Sequence, residues 1–356
     1  DKFVREVLTV QGEEIKDPAV VWYRELKDPT AAMEDAAQLF LGQRMGCAKC
    51  HDHPFEKWSQ HDYWSLAAFF TTVTVTEAKP EKKKGKDVTN PAEPTKVSLK
   101  GGAATAVNPR TNKPVRAAGL GAAPVDVGTG EDPRAKLADW MTDPQNPYFA
   151  RSLANRYWKH FLGRGLIDPE DDMRATNPPT NPELLDFLAD SFVAGKYDLK
   201  GLVRLICTST TYQLSAVPNA HNADDRQNFS RFLPKRLQAE VLLDAIDDVT
   251  GVRTRFKNAP AAARAVELPD NLADSYFLSV FGKPDAASAC ECERNGDASL
   301  AQALHMFNSD EVLKKVAGAR SQALAKDKRP HAERLAELYV LALGRKPTAD
   351  ETAALE

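Results

Sequence analysis

Five residues, Cys47-Ala48-Lys49-Cys50-His51, hold the densest reactive chemistry in the chain. Two thiols three positions apart can add to the two vinyl groups of one porphyrin, and the adjoining imidazole is placed to ligate the iron. The same letters also suit zinc ligation by two thiolates with a neighbouring imidazole, or a redox dithiol. The dithiol reading needs a preceding β-strand, whereas the pattern before Cys47 is helical. On the haem reading, Cys47 and Cys50 are the thioether attachment points and His51 the proximal ligand. Candidate sixth ligands are Met45, His53, His61, His160 and His305, with His53 hindered by its closeness to His51 along the chain.

A second thiol pair, Cys290-Glu291-Cys292, lies far along the chain. Residues two apart on an extended segment point the same way and can grip one metal ion. Cys47, Cys50, Cys290 and Cys292 together make four thiolates, enough for a tetrahedral zinc or an iron-sulfur site. That site competes with haem, because a thioether sulfur is no longer a thiolate. Cys207 sits in an apolar stretch with Leu202, Val203, Leu205 and Ile206 and reads as an inert core thiol.

The elements that must position these groups are mainly helical. Thr30 is expected to cap a helix carrying Met33, Ala36, Ala37, Phe40, Leu41 and Arg44, its apolar residues at the spacing of one buried face, with Gly46 releasing the chain into Cys47. A second helix is expected from Asp62. Asn146-Pro147 and Asn181-Pro182 pair a capping side chain with a first-turn proline, and each announces a helix. Further amphipathic helices are expected over Leu199–Tyr212, Leu237–Val249 and His331–Leu343. The acidic turn Asp168, Glu170, Asp171 and Asp172 lacks EF-hand spacing and is expected to pair with Arg164 and Arg174.

Residues 77–130 have no aromatic side chain, seven glycines, six prolines and a lysine run. Such a stretch reads as a flexible insertion or linker. Short β pieces fit around Lys96–Leu99, with a turn at Asn108–Lys113. The expected fold class is therefore mainly α: two helical units around a cysteine-containing site, joined by a long Gly/Pro/Lys-rich insertion. The expected boundaries are 1–76, 77–130, 131–325 and a C-terminal helical segment, 326–356.

The 356 residues carry 47 Lys and Arg against 50 Asp and Glu, a formal charge of −3. That balance argues against a general nucleic-acid binder. No apolar run approaches the roughly 18 residues of a membrane span. Five cysteines are too few for a disulfide scaffold. The chain opens Asp-Lys-Phe without Met, which reads as an internal or processed fragment. No G-x-S-x-G, P-loop, H-E-x-x-H or dinucleotide fingerprint is present.

The extended motif CAKCHDHPFEKWSQHDYWSLAAFF, starting at Cys47, resembles the cytochrome-like, predicted-secreted proteins first described as a planctomycete family. The segments NPYFARSLANRYWKHFLGRGLIDPEDDMRATNPPTNPELLDFLA, RFLPKRLQAEVLLDAIDDVTG and FLSVFGKPDAASACECERNGDASLAQALHMFNS resemble that family's companion domain, and ELYVLALGRKPTADE its C-terminal helix. The resemblance covers most of the chain outside 77–130. The haem reading carries an extracytoplasmic address, because attachment at this motif takes place outside the cytoplasm, and with it go a redox partner protein and a larger complex. A metal-thiolate staple between the domains, or a role accessory to polysaccharide breakdown, stands as the alternative.

Overall fold

The computed structural model describes residues 1–77, 79–83, 86–128, 130–257, 259–268, 275–284 and 298–355. It is mainly helical, with small antiparallel sheets. Two compact units divide it, Asp1–Pro234 and Lys235–Glu356.

The first unit begins with α1 (Lys2–Thr9), β1 (Gly12–Glu13), α2 (Val20–Glu25) and α3 (Pro29–Leu41). The cap of α3 is Asp28 rather than Thr30: its carboxylate accepts from the amides of Thr30 and Ala31, and Pro29 takes the first turn. Thr30 is the second residue of the helix and is buried. A 3-10 turn, Gly46–Lys49, carries the first thiol and leads to α4 (Gln60–Ala67). Ser59 and Asp62 close a reciprocal capping box at the start of α4.

Short strands follow. β2 (Val73–Thr76), β3 (Lys79–Lys83), β4 (Lys86–Glu93) and β5 (Lys96–Leu99) precede a hairpin of β6 (Thr105–Asn108) and β7 (Lys113–Arg116). β5 lies between β1 and β2 in one antiparallel sheet, and β3 pairs with β4. The Lys96–Leu99 strand and the Asn108–Lys113 turn fall where the sequence places them.

The expectation of a flexible linker over 77–130 does not hold for residues 95–120. Val97, Ala106, Val115, Ala117 and Leu120 are buried in the same core as Met33 and Phe69. Small side chains make this contact: they let the hairpin lie on α4, where the Ala118 amide donates to the Ser65 carbonyl at 3.2 Å. Gly119 serves the same close packing, since a Cβ there would stand 2.3 Å from the Trp140 ring.

After the strands come α5 (Pro133–Met141), α6 (Phe149–Leu162), α7 (Pro182–Ala194) and α8 (Leu199–Cys207). Asn181 caps α7 as expected, with Pro182 at its first position. Asn146 accepts from the amides of Tyr148 and Phe149 and so starts α6 two residues later than its proline suggests. α8 stops at Cys207, which is half-buried, and the expected continuation to Tyr212 is a run of turns. The core around Leu8, Met33, Leu41, Leu66, Phe69 and Phe70 adjoins a second cluster of Trp158, Leu162, Leu185, Leu188 and Ile206. Each such large apolar side chain contributes roughly 1.5–3 kcal/mol on burial.

The second unit contains α9 (Ala239–Thr250), α10 (Tyr276–Val280), α11 (Leu300–Asn308), α12 (Asp310–Val316), α13 (Ala319–Lys326), α14 (His331–Leu343) and α15 (Ala349–Leu355). Its core is small: Ala239, Leu243, Phe277, Leu278 and Val312. The buried Lys315 ammonium supplements it by binding Asp247, the Val252 carbonyl at 3.0 Å and Thr254 Oγ1 at 2.8 Å.

Candidate functional site: the thiol turn and its groove

α3 ends at Gly42, whose left-handed conformation (φ 65°) turns the chain toward the motif. Met45 is 1 % exposed and anchors the next residues in the core, and its carbonyl accepts from the Ala48 amide at 2.9 Å. Cys47 lies within the 3-10 turn and Cys50 directly after it; both thiols are free and exposed, while Ala48 is fully buried.

Three hydrogen bonds hold the turn. Lys49 Nζ donates to Thr30 Oγ1 at 2.8 Å, fixing the turn to the start of α3. Gln60 Nε2 donates to the Lys49 carbonyl at 2.9 Å, and the Gln60 amide donates to Asp52 Oδ1 at 3.1 Å. Beneath it, Tyr63 donates to Glu34, and burial together with that carboxylate pushes the phenol far above its ordinary range.

His51 is exposed beside the thiols, with Nδ1 2.8 Å from the Asp52 carbonyl. A carbonyl only accepts, so Nδ1 carries the proton and Nε2 keeps its lone pair. This is the tautomer an iron-ligating histidine needs. Two free, exposed thiols and an adjoining imidazole held by a backbone carbonyl are a donor set that suits c-type attachment.

The candidate sixth ligands stand in different surroundings. Met45 is a core residue. His53 uses Nδ1 to accept from the Phe55 amide at 3.2 Å. His61 is exposed on α4, and His160 is exposed on α6 with its ring edge-on to Phe161. His305 belongs to the second unit, packed among Tyr276, Phe277 and Phe281. Among the described residues no three His, Cys, Asp or Glu side chains converge as a metal site. Cys290 and Cys292, the other half of the expected four-thiolate site, lie outside the described residues.

Beyond His53 the chain folds back, the His53 amide donating to the Trp58 carbonyl at 2.8 Å. Trp58 Nε1 donates to Gln43 Oε1 at 3.0 Å, and Gln43 Nε2 donates to the Met173 carbonyl at 2.9 Å. Glu56 accepts from the Ala175 amide. Between these two loops lies a groove of about 430 Å³, with Phe55, Trp58, Tyr148 and Met173 among its walls. Lys57 stands 4.8 Å from the centre of the Trp58 ring.

The acidic turn supports the far wall. Asp171 is buried and accepts from Arg44 and Gln38, and Glu170 accepts from Lys159. The expected pairs are present: Arg174 meets Asp172 at 3.2 Å and Arg164 meets Asp168 at 3.9 Å. What the sequence reading missed is the role of Gln43 and of Arg44, which lies beyond the end of α3 at Leu41 rather than on that helix; both carry the connection from the thiol turn to that wall. Their only local signal is their place between a helix-ending glycine and the motif.

Fold and site define a mainly helical protein in which an exposed Cys-x-x-Cys-His turn and a downstream helical segment share one compact unit. Residues 133–356 match the family described as PSD1, protein of unknown function (DUF1553), and residues 3–75 match PSCyt2, protein of unknown function (DUF1549). The first match spans more than half of the chain, so the chain belongs to the PSD1 family, here in the planctomycete-type pairing of the two domains. Neither a curated protein nor a solved structure matches it. No helix among the described residues is long and apolar enough to cross a membrane.

Proposed function

We propose that this chain is a cytochrome-like c-type haem protein of an extracytoplasmic compartment, used for electron transfer or redox sensing. The observation that carries the reading is the arrangement of the motif itself. Both thiols are free and exposed, Cys47 within the 3-10 turn and Cys50 directly after it, and the Asp52 carbonyl accepts from His51 Nδ1, which leaves Nε2 of the neutral ring available as a ligand. Bound there, haem supplies one-electron exchange at its iron.

The chain's own residues do the positioning. Cys47 and Cys50 would hold the group covalently, and His51 would supply a nitrogen ligand to its iron. Lys49 and Gln60 keep the turn in register with α3 and α4. The exposure of the turn suits approach by a redox partner protein. Thioether attachment at this motif takes place outside the cytoplasm, which gives the reading its compartment. Met45 packs in the core.

A pyridine haemochrome spectrum of protein produced with a c-type maturation system, alongside elemental analysis, tests this. The reading expects a c-type α-band and one iron per chain. Zinc, or iron without porphyrin, at one equivalent per chain would replace it with the four-thiolate site of Cys47, Cys50, Cys290 and Cys292.

A further inference from the structure

The peptide that links Asp52 to His53 is held from two sides by the chain at the start of α4. Its N–H, that of His53, donates to the Trp58 carbonyl at 2.8 Å. Beside it, the Asp52 carboxylate accepts from the Gln60 amide at 3.1 Å. In a trans peptide the N–H and C=O point opposite ways in one plane, so fixing one fixes the direction of the other. The C=O of this peptide is the one 2.8 Å from His51 Nδ1.

The holding side is firm. Ser59 and Asp62 close the capping box of α4. Trp58 is buried and bonded to Gln43, and Gln60 is buried with its side chain on the Lys49 carbonyl. The held side is exposed, at both His51 and Asp52. A neutral imidazole in water exchanges between its two tautomers, and a fixed acceptor at one nitrogen decides between them. A second contact of Asp52 is weaker. Its Oδ2 stands 3.7 Å from Arg110 in the turn between β6 and β7, and at 64 % and 68 % exposure that pair is too solvated to hold the loop.

We propose that Asp52 is the positioning residue for His51. Its carboxylate, by hydrogen bonding to the Gln60 amide, locks the following peptide so that the carbonyl keeps the proton on Nδ1 and leaves Nε2 free to ligate. The purpose of this device rests on the haem reading, since a ligating histidine needs that tautomer. The tautomer itself is read without haem, so the two ideas fail separately: a chain that takes no haem can still show the Asp52 effect, and a haem-loaded chain can lack it.

The test is long-range proton–nitrogen correlation spectroscopy of the imidazoles in the full chain without haem, at about pH 8.5, where the rings are neutral. His51→Gln assigns the signal. Wild type is expected to show His51 mainly in the Nδ1–H form. Asp52→Ala should lower the ratio of Nδ1–H to Nε2–H about tenfold, the scale of one net hydrogen bond, with circular dichroism unchanged. Asp52→Asn, whose amide oxygen still accepts from Gln60, should keep the wild-type ratio, and so should Arg110→Gln. A purely structural role for Asp52 would lower stability without moving that ratio. Wild type mainly in the Nε2–H form, an unchanged ratio in Asp52→Ala, Asp52→Asn behaving like Asp52→Ala, or a fallen ratio in Arg110→Gln would each overturn the proposal.

Discussion

Arg44, three residues before Cys47, donates to the carboxylate of Asp171, which is only 4 % exposed. This bond ties the approach to the thiol turn to a loop 127 residues away in sequence. Burial alone would raise the Asp171 pKa, but the hydrogen bonds from Arg44 and Gln38 outweigh it and hold the carboxyl below its ordinary value. The stability this supplies is present above the ordinary carboxylate range and is lost as pH falls through the lowered folded value. Asp171→Asn is expected to cost about 2 kcal/mol at pH 7, less than a fully buried pair because Arg44 stays partly hydrated. Urea midpoints at pH 7 and pH 3 check this: the variant's deficit shrinks on acidification, and an unchanged deficit at both would contradict the account.

Gly42 combines a left-handed backbone with close contact. A Cβ there would lie 2.7 Å from Met173 Sδ and 3.3 Å from Ser152 Oγ. Gly42→Ala is expected to lose about 1–2 kcal/mol from backbone strain and displacement of Met173. Tryptophan fluorescence offers a local readout, since Met173 and Trp58 line the same groove. A variant as stable as wild type, with an unchanged spectrum, would show that the Gly42 conformation is not needed.

Ser59 caps α4 reciprocally with Asp62, immediately after the motif loop. Ser59→Ala should cost about 1 kcal/mol and raise amide exchange in the first turn of α4, at Asp62 above all. Ser59→Asp should restore most of the loss, because a carboxylate both caps and favours the helix N-terminus. Failure of that rescue would mean that the hydroxyl's own bond to Asp62, rather than capping, is what counts.

Much of this architecture is written locally. Asn181-Pro182 starts α7 where expected, and His331–Leu343 is a helix over its full expected span, because capping and periodicity act within a few residues. Asp28 took the capping role expected of Thr30 because a carboxylate directly before a proline at the first helical position serves the same end one step earlier. The segment 95–120 was misread for a different reason. Its core residues are Ala and Val, so a search for aromatic side chains overlooks surface that packs closely through its smallness. The Cys-x-x-Cys-His motif is visible in the sequence by its spacing, and the structure adds that both thiols and His51 are exposed. The bonds from Gln43 to Met173 and from Arg44 to Asp171 are not visible there, since they join residues more than a hundred positions apart and leave no periodic trace.

In the second unit, Lys315 and Asp247 form a buried ion pair. The Lys315 ammonium and the Asp247 carboxylate are each about 95 % buried (5 % and 4 % exposed) and bond to each other. Lys315→Ala removes one partner and strands the other, an expected loss of about 3–5 kcal/mol. Hydrogen exchange should show α9 and α12 losing protection, with α4 and α6 of the first unit unaffected. Equal loss in both units would contradict a fault confined to residues 235–356. Lys315→Met together with Asp247→Leu should recover stability, because it removes both charges at once.

The central claim is covalent attachment at Cys47 and Cys50 with His51 as axial ligand. Intact-protein mass spectrometry under denaturing conditions tests it most directly, on wild type and on the Cys47→Ser/Cys50→Ser variant, each produced in a cell with c-type maturation. The account predicts wild type heavier than its polypeptide by one haem and the double variant at bare polypeptide mass. Wild type at bare polypeptide mass, or a haem-sized adduct that persists in the double variant, would contradict it.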